Sequence, residues 1–266
     1  MQMDKLAQIV LHKREEIARR RRHPYRSACT TVRDGAAIVQ ALRRPAGEPL
    51  RVIAEIKFRS PSRGVIRART VGAVATLAQA YRRGGASALS VLADQRHFGG
   101  TPLDVRRAGR ASGLPVLYKG FVLDPLQVEL AARAEASMVL LIVRCLRPET
   151  LGALIEAAER WGLVPLVEVA SATELEVALD SPASVIGVNA RDLRNFTLDR
   201  NRAARLVAAI PSDRLALWLS GVRDKADFRQ VAASRADAVL IGEGLMRTGD
   251  PETQLRSWRE DAACGG

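Results

Sequence analysis

The feature that most constrains the fold of this chain is a strand-like apolar run that recurs eight times, with helical patterns between the runs. A short apolar run bounded by turn-forming residues predicts a buried strand, and apolar residues three and four apart predict a helix. Eight strand–helix units in succession predict an α/β protein, a (β/α)8 TIM barrel. The predicted strands span residues 51 to 57, 87 to 92, 115 to 118, 137 to 143, 164 to 169, 184 to 189, 214 to 219 and 237 to 241.

The composition agrees with this architecture. Aromatic residues make up only 4% of the chain, which favours a helix-rich α/β protein over a β-sandwich. An open doubly wound sheet is the alternative, but such a sheet more often shows a glycine-rich fingerprint after its first strand, and this chain has none there. Predicted helices span residues 71 to 83, 125 to 134, 148 to 161, 172 to 179, 201 to 209, 224 to 233 and 251 to 261.

The segment ahead of the first strand has a helical pattern of its own. Residues 3 to 22 predict one helix from the spacing of their apolar side chains, and residues 36 to 43 predict a short second helix. We therefore expect a single barrel domain over residues 1 to 266, with residues 1 to 48 as an N-terminal helical extension.

Charged and amide residues stand at the C-terminal ends of the predicted strands, where barrel enzymes carry their chemistry. Glu55 and Lys57 are two apart on one strand, so both side chains face one space while Ile56 faces the other side. Taken alone, the pair could be a structural ion pair. Similar residues end other strands, namely Lys119, Glu168, Asn189, Arg191 and Ser220. Exclusion of water would shift their pKa values and allow proton transfer at neutral pH, which favours a catalytic site.

Glycine-containing turns follow the last two predicted strands. Gly221 follows the strand at 214 to 219, and Gly242 and Glu243 follow the strand at 237 to 241. Barrels commonly bind phosphate in this quadrant, because glycine lets backbone N–H groups approach the anion near a helix N-terminus. The turns predict a phosphorylated substrate; the alternative is that the glycines serve only tight turns.

The formal net charge of +12 raises the question of a nucleic-acid partner, and Arg19 to Arg22 form the most basic stretch. No RNA-binding aromatic motif accompanies these arginines, so a solvated helix end is the favoured interpretation. A positive field also attracts anionic metabolites. We therefore expect a small phosphorylated molecule as the partner and no nucleic acid.

Cysteine usage and hydropathy indicate the compartment. The cysteines at positions 29, 145 and 264 are widely spaced and odd in number, which predicts a reducing environment, no disulfide framework and no zinc site. No apolar run approaches the length of about 20 residues that spans a bilayer, and the N-terminus lacks an apolar signal core. No carboxylate cluster suited to magnesium stands at the strand ends. We expect a cytoplasmic protein without membrane contact, metal or cofactor, a monomer, with a homodimer left open.

Several long motifs resemble one known family in order along the chain. These motifs are IAEIKFRSPSRG (53 to 64), LSVLAD (89 to 94), FGG (98 to 100), PVLYKGFVLDPLQV (115 to 128), LVEV (166 to 169), IGVNARDLRNFTLD (186 to 199), SGV (220 to 222) and ADAVLIGEGLMR (236 to 247). They resemble indole-3-glycerol phosphate synthase. The resemblance implies a metal-free ring closure of 1-(2-carboxyphenylamino)-1-deoxyribulose 5-phosphate, which releases carbon dioxide and water in tryptophan or indole biosynthesis.

The resemblance also implies roles for individual residues. Lys119 would be the general acid that polarises the ketone, and Glu168 would be the base of the later dehydration, with Lys57 or Lys119 as its acid. Glu55 would orient the lysines, and Asn189 and Arg191 would hold the anthranilate portion. Further substrate contacts would come from Ser60, Pro61, Ser62, Phe98, Phe121, Leu219 and Ser220. The phosphate would rest on Lys57, Gly221, Gly242 and Glu243.

Two positions depart from the family pattern. The family usually has glutamate where this chain has Leu219, and aspartate where it has Gly120. By strand alternation Gly120 points away from Lys119, so its change should affect support more than chemistry. Leu219 removes a hydrogen-bond acceptor, and unpaired buried donors cost about 1–3 kcal/mol each. The alternatives are therefore a paralogue that acts on a related phosphosugar amine in specialised metabolism, or a non-catalytic scaffold.

Overall fold

The computed structural model describes residues 5–22, 34–61, 63–192 and 197–263. Eight parallel strands close into a barrel, which confirms the predicted (β/α)8 fold. The first strand pairs with the second on one side and with the last on the other, so the barrel closes without a free edge. The barrel strands are β1 (Arg51–Ile56), β4 (Ala88–Leu92), β5 (Val116–Lys119), β6 (Met138–Ile142), β7 (Val164–Val169), β8 (Val185–Val188), β9 (Leu215–Trp218) and β10 (Ala238–Ile241).

Helices connect the strands and surround the barrel. Among the described residues, no helix combines the length and the apolar character that a membrane crossing requires. The helices are α1 (Lys5–Arg22), α2 (Gly35–Leu42), α3 (Ala73–Arg83), α4 (Gln95–Phe98), α5 (Pro102–Ser112), α6 (Pro125–Arg133), α7 (Pro148–Arg160), α8 (Ala172–Leu179), α9 (Arg200–Ala209), α10 (Lys225–Ala232), α11 (Glu243–Met246) and α12 (Pro251–Ala263).

Local sequence signals explain where many of these helices begin. Asp94, Asp124 and Ser171 accept a hydrogen bond from a backbone N–H in the first turn of the helix that follows. Such caps satisfy N–H groups that have no partner within the helix. Proline occupies the first turn of α5, α6 and α7, where its missing N–H costs nothing.

The structure adds elements that the sequence did not predict. The loop after β1 contains a short antiparallel hairpin of β2 (Arg59–Ser60) and β3 (Gly64–Val65). Two helices, α4 and α5, follow β4. The sequence analysis gave no bounds for a helix after this strand. The helix predicted from residue 71 begins at Ala73, because Gly72 ahead of it has a left-handed backbone with φ of 78°.

The core has two layers separated by the barrel wall. An inner cluster fills the barrel with side chains that include Ile53, Leu117 and Leu217. An outer cluster, with Val52, Val139 and Ile186 among its members, packs the strands against the helices. Successive strand residues therefore point alternately inward and outward. This alternation directs Glu55 and Glu168 toward the interior, together with the inner cluster.

The two N-terminal helices lie at opposite ends of the barrel. At the C-terminal end, Lys13 of α1 pairs with Asp94 at 2.8 Å, and Arg21 pairs with Asp124 at 2.6 Å; both aspartates follow barrel strands. At the other end, Gly35 of α2 lies against Val164 at the start of β7. The predicted N-terminal helical segment thus contributes one helix to each end.

Arg214 lies at the N-terminal end of the barrel, just ahead of β9. Its guanidinium donates hydrogen bonds of 3.0 to 3.2 Å to the carbonyl oxygens of Ala178, Leu179, Ser181 and Ala183 at the end of α8. Two of these carbonyls are in the last turn of α8, where a helix leaves carbonyl groups without an intrahelical partner, and the other two follow the helix. Arg214 therefore joins the end of α8 to the start of β9.

Replacing Arg214 with methionine should lower the free energy of unfolding by about 1–3 kcal/mol, because partly buried carbonyls lose charged donors. Urea denaturation followed by circular dichroism measures this change. Arg160→Met is the matched control, since Arg160 forms only an exposed pair with Glu156 at 3.7 Å and should cost less than about 1 kcal/mol. Equal losses in the two variants would contradict the assigned role of Arg214.

Candidate active site

Glu55 and Lys57 form an ion pair at the end of β1. Lys57 Nζ lies 2.6 Å from Glu55 Oε1, and only 3% of the Glu55 side chain is exposed. The predicted orientation of the pair toward one space is confirmed, because Ile56 between them belongs to the outer cluster. An acid and a base therefore face the interior of the barrel mouth together.

Two lysines stabilise the negative charge of Glu55. Burial raises the pKa of its carboxyl, but the positive charges of Lys57 and Lys119 lower it by more, so the pKa lies below its ordinary value. Lys119 Nζ is 3.7 Å from Glu55 Oε2. Glu55 is thus an anion at neutral pH and fixes both ammonium groups in the mouth.

Lys119 lies between two buried carboxylates. It ends β5, and its Nζ is 4.0 Å from Glu168 Oε2 in addition to its contact with Glu55. Glu168 is 2% exposed, and its other oxygen accepts a 3.0 Å hydrogen bond from Asn189 Nδ2. The arrangement holds an ammonium group, a carboxylate and an amide within one water-poor space. Such a set can both donate and accept protons.

Ser220 and Asn189 organise the loop that carries Arg191. Ser220 Oγ donates to Asn189 Oδ1 at 2.6 Å, and the backbone N–H of Arg191 donates to Asn189 Oδ1 at 3.0 Å and to Ser220 Oγ at 3.1 Å. The ends of β8 and β9 are joined by these bonds. The amide of Asn189 is thereby fixed with its Nδ2 directed at Glu168.

Glycine is required at the turns after β9 and β10. A Cβ atom at Gly242 would lie 2.3 Å from Glu55 Oε1 and 3.2 Å from Lys57 Nζ, so a side chain would displace the ion pair. Gly221 has φ of 92°, in the left-handed region that favours glycine. Both backbones therefore approach the mouth closely, next to the Lys57 ammonium in the case of Gly242.

Two phenylalanines form an aromatic side of the mouth. Phe98 at the end of α4 and Phe121 after β5 have ring centroids 6.2 Å apart and are tilted by 31°. Rings at such a distance and tilt pack favourably against each other. This side of the mouth suits a planar aromatic ligand.

A pocket at the C-terminal mouth of the barrel brings the predicted site residues together. Every one of them within the described part of the chain lines the pocket, and Ser62 lies outside the described residues. The lining residues predicted from sequence are Glu55, Lys57, Ser60, Pro61, Phe98, Lys119, Phe121, Glu168, Asn189, Arg191, Leu219, Ser220, Gly221, Gly242 and Glu243.

The apolar floor of this pocket was not predicted from the sequence. Leu140, Ile142 and Leu240 line it and were not predicted as site residues. All of them belong to the inner cluster, so the inward parity of their strands was the signal that could have identified them. Arg223, two residues after Gly221, also lines the pocket and was missed.

Leu219 belongs to this floor. It is 2% exposed, and its Cδ1 would lie 2.5 Å from a Cβ atom at Gly187. The absence of a side chain at Gly187 therefore makes room for Leu219. The predicted orientation of Gly120 is confirmed, because a Cβ there would lie 3.2 Å from Tyr118, which belongs to the outer cluster. Gly120 also lines the pocket, and the predicted effect of its replacement stays a prediction.

Cys145 lies close enough to Glu168 to be influenced by its charge. Burial, and to a lesser extent the charge of Glu168, raise the pKa of this thiol to about 12. A thiol in this state is not a nucleophile at neutral pH. The other two cysteines, Cys29 and Cys264, lie outside the described residues. Among the described residues, no three His, Cys, Asp or Glu side chains come together as a metal site would require.

Comparisons with known proteins give a consistent answer. The profile of the family described as indole-3-glycerol phosphate synthase matches residues 6–258. Indole-3-glycerol phosphate synthase 2 of Streptomyces coelicolor is 45% identical over 230 residues, 86% of each chain. The synthase of Mycolicibacterium smegmatis is 44% identical over 82% of this chain and 78% of its own, and that of Leifsonia xyli subsp. xyli is 42% identical over 97% and 99%.

Solved structures share the fold at low identity. Tryptophan synthase subunit alpha from Legionella pneumophila superposes with a TM-score of 0.62 at 16% identity, over 87% of this chain and 98% of its own. For 3-hexulose-6-phosphate synthase from Salmonella typhimurium the TM-score is 0.63 at 11% identity, over 82% and 100%. These similarities show the barrel fold alone.

Proposed function

This chain belongs to the indole-3-glycerol phosphate synthase family, and from that membership we propose that it catalyses the synthase reaction. The reaction closes the ring of 1-(2-carboxyphenylamino)-1-deoxyribulose 5-phosphate and releases carbon dioxide and water, which makes the protein a decarboxylating lyase of tryptophan biosynthesis. The observation that carries the proposal is Lys119, whose ammonium lies between the buried carboxylates of Glu55 and Glu168. The reaction needs an acid and a base within reach of one substrate, and this geometry supplies both.

Ring closure begins at the ketone of the ribulose chain. Lys119 acts as the general acid and donates its proton to the ketone oxygen, while the ring carbon that bears the carboxylate attacks the ketone carbon. A new carbon–carbon bond forms, and the ketone becomes a hydroxyl. Loss of carbon dioxide then returns an electron pair to the ring and restores its aromatic state. The buried mouth strengthens the attraction between the ammonium and the developing oxyanion.

Dehydration completes the product. The new hydroxyl leaves as water after it accepts a proton from Lys57, or from Lys119 once solvent has returned the proton that Lys119 gave to the ketone. Glu168 removes a proton from the substrate so that the indole double bond forms. The hydrogen bond from Asn189 orients Glu168 for this transfer. The ion pair with Glu55 keeps both lysines in the mouth.

The remaining pocket residues bind the two ends of the substrate. Phe98 and Phe121 pack against the anthranilate ring, with Ser60, Pro61 and Arg191 near its carboxylate. The phosphate lies at the turns after β9 and β10, held by Lys57 and by backbone N–H groups of Gly221, Gly242 and Glu243. Leu219 and Ser220 contact the chain between the two ends. The close approach of the Gly242 backbone to Lys57 supports this assignment.

Direct assay of the purified protein tests the proposed function. The substrate should be converted to indole-3-glycerol phosphate, followed by its indole absorbance, and the gene should restore growth without tryptophan to a strain that lacks the synthase. A folded protein that fails both tests would overturn the proposal. The further expectations that the enzyme acts in the cytoplasm, as a monomer and without nucleic acid stay predictions.

Leu219 favours a second candidate function, a paralogue that acts on a related phosphosugar amine. An apolar side chain occupies a mouth position where the family usually has a carboxylate. In the structure Leu219 neighbours Leu240 on the next strand and the Gly187 backbone. A different substrate with an apolar group at this point would suit such a floor.

Replacing Leu219 with glutamate discriminates between the two functions. For a synthase, we expect kcat/KM to stay at the wild-type level or rise by up to about tenfold, equivalent to about 1.4 kcal/mol, because the carboxylate regains polar partners in the mouth. Burial against leucines should lower the free energy of unfolding by about 1–3 kcal/mol. Steady-state kinetics and thermal denaturation measure both effects.

Leu219→Gln is the matched control for that experiment, since glutamine has the same shape without the charge. If the carboxylate itself is useful, glutamate should exceed glutamine in kcat/KM. A Leu219→Glu variant that folds normally but forms no indole-3-glycerol phosphate would favour the paralogue.

A further inference from the structure

Arg144 connects three segments at the mouth of the barrel. It lies in the short 3-10 helix (Val143–Cys145) that follows β6. Its Nε is 2.6 Å from Glu174 Oε1 in α8, and one terminal nitrogen is 2.8 Å from Asp192 Oδ1 after β8. One guanidinium thus bridges two carboxylates that belong to different strand–helix units.

This bridge is largely removed from water. The side chains of Arg144, Glu174 and Asp192 are 16%, 14% and 9% exposed. Charged hydrogen bonds made in such surroundings are stronger than exposed pairs, and an arginine can contact two carboxylates with fixed geometry. The bridge therefore resists movement of the loops that it joins.

Hydrogen bonds also connect the Glu174 carboxylate and the Asp192 backbone to segments near candidate catalytic residues. The second oxygen of Glu174 accepts a 2.7 Å hydrogen bond from the N–H of Ala170, two residues after Glu168. The backbone N–H of Asp192 donates to the carbonyl oxygen of Thr197 at 2.9 Å, and the N–H of Asp199 donates to the carbonyl oxygen of Ala190 at 2.9 Å. Arg144 consequently contacts the first turn of α8, which follows β7, and the segment that follows β8.

Asp192 of this bridge is adjacent in sequence to a residue that lines the pocket. Asp192 follows Arg191, whose backbone N–H is held by Asn189 and Ser220. Asn189 in turn donates to Glu168. The described residues that line the pocket do not include Arg144, so it does not contact substrate there and can act only through Asp192 and Glu174.

We propose that Arg144 is a positioning residue that holds Asp192 in place through its ion pair, so that Asn189 and Arg191 are oriented for substrate before it binds. The inference rests on the proposed function and deepens it, since it names a residue outside the pocket that sets the geometry of the site. Small displacements of oriented groups lower rates strongly, by up to about 100-fold for a shift of about 1 Å.

Arg144→Met tests the kinetic part of this inference. We expect kcat/KM to fall by about 10–100-fold, with an increase in KM as well as a decrease in kcat, because Arg191 and Asn189 lose the support that Asp192 gives and are oriented less precisely. Arg133→Met is the matched control. Arg133 forms a 2.6 Å pair with Glu129 within α6, its side chain is 15% exposed, and its removal should leave kcat/KM within about threefold of the wild type.

Hydrogen exchange tests the same inference without catalysis. The amides of Arg191, Asp192 and Asp199 should exchange at least about tenfold faster in Arg144→Met than in the wild type or in Arg133→Met, because local opening of the loop becomes easier. Arg144→Lys should restore part of the protection, since an ammonium can pair with only one of the two carboxylates at a time.

The two measurements separate the inference from the function on which it rests. Faster exchange in Arg144→Met together with a fall in kcat/KM supports the inference. If the wild-type protein proves inactive on this substrate, faster exchange in Arg144→Met still supports the positioning role while the proposed function fails. If Arg144→Met matches Arg133→Met in both exchange and kinetics, the positioning role is wrong even in an active synthase.

Discussion

Replacing Lys119 with methionine should lower kcat for indole-3-glycerol phosphate formation by about 10²–10⁴-fold, the usual contribution of a general acid. Methionine fills much of the same space but has no proton to donate. The fold should survive, because Glu55 keeps its 2.6 Å pair with Lys57 and Glu168 keeps its hydrogen bond from Asn189. Steady-state kinetics and a thermal melt of the variant measure the two effects.

Lys119→Arg is the control that separates charge from proton donation. Arginine keeps the positive charge between the carboxylates but does not release a proton at neutral pH. We expect this variant to be nearly as slow as the methionine variant, with a smaller change in KM. A Lys119→Met enzyme that retains more than about a tenth of wild-type turnover would contradict the role of Lys119 as the acid.

The fold was predictable because the sequence patterns that determine it are local and recur along the chain. Each barrel strand is a short apolar run between turn residues, and each crossover helix has its own periodicity. The prediction needed only these patterns and the rule that parallel strands linked by helices form an α/β sheet. The hairpin of β2 and β3 was not predictable in the same way, since strands of two residues carry no periodicity and depend on the surrounding loop.

The candidate site was predictable to the extent that strand ends converge. Side-chain alternation placed Glu55 and Lys57 on one side, and barrel closure brings Lys119 and Glu168 to the same mouth. The floor formed by Leu140 and Leu240 was missed because leucine in a strand predicts packing whether or not it borders a ligand.

The contacts between loops were beyond sequence reasoning. Arg144 and Asp192 are 48 residues apart. The chain contains many arginines, and the sequence does not indicate which carboxylate each of them pairs with. Only the three-dimensional packing of the loops after β6, β7 and β8 brings its guanidinium to two carboxylates. The positioning role therefore depends on the structure, whereas the acid and the base could be named from the order of the strand ends.

Replacing Glu168 with glutamine should lower kcat by about 10²–10⁴-fold, because the amide cannot accept the proton that dehydration releases. Glutamine retains the shape and can still accept the hydrogen bond from Asn189 Nδ2, which is 3.0 Å long in the wild type. Its own NH₂ group would face Lys119, so the variant also loses the carboxylate that lies 4.0 Å from Nζ. We expect an unfolding midpoint near that of the wild type and a large loss of turnover.

The pH dependence of kcat distinguishes a lost base from a lost charge. A reaction that depends on an unprotonated base slows on acidification. The residual rate of Glu168→Gln should lack this decline. Glu55 interferes little, because its lysine neighbours keep the pKa of its carboxyl below the ordinary value, so it loses its charge only at more acidic pH. A Glu168→Gln enzyme that is slow but still shows the wild-type decline on acidification would assign the base to another residue and leave Glu168 as an electrostatic partner of Lys119.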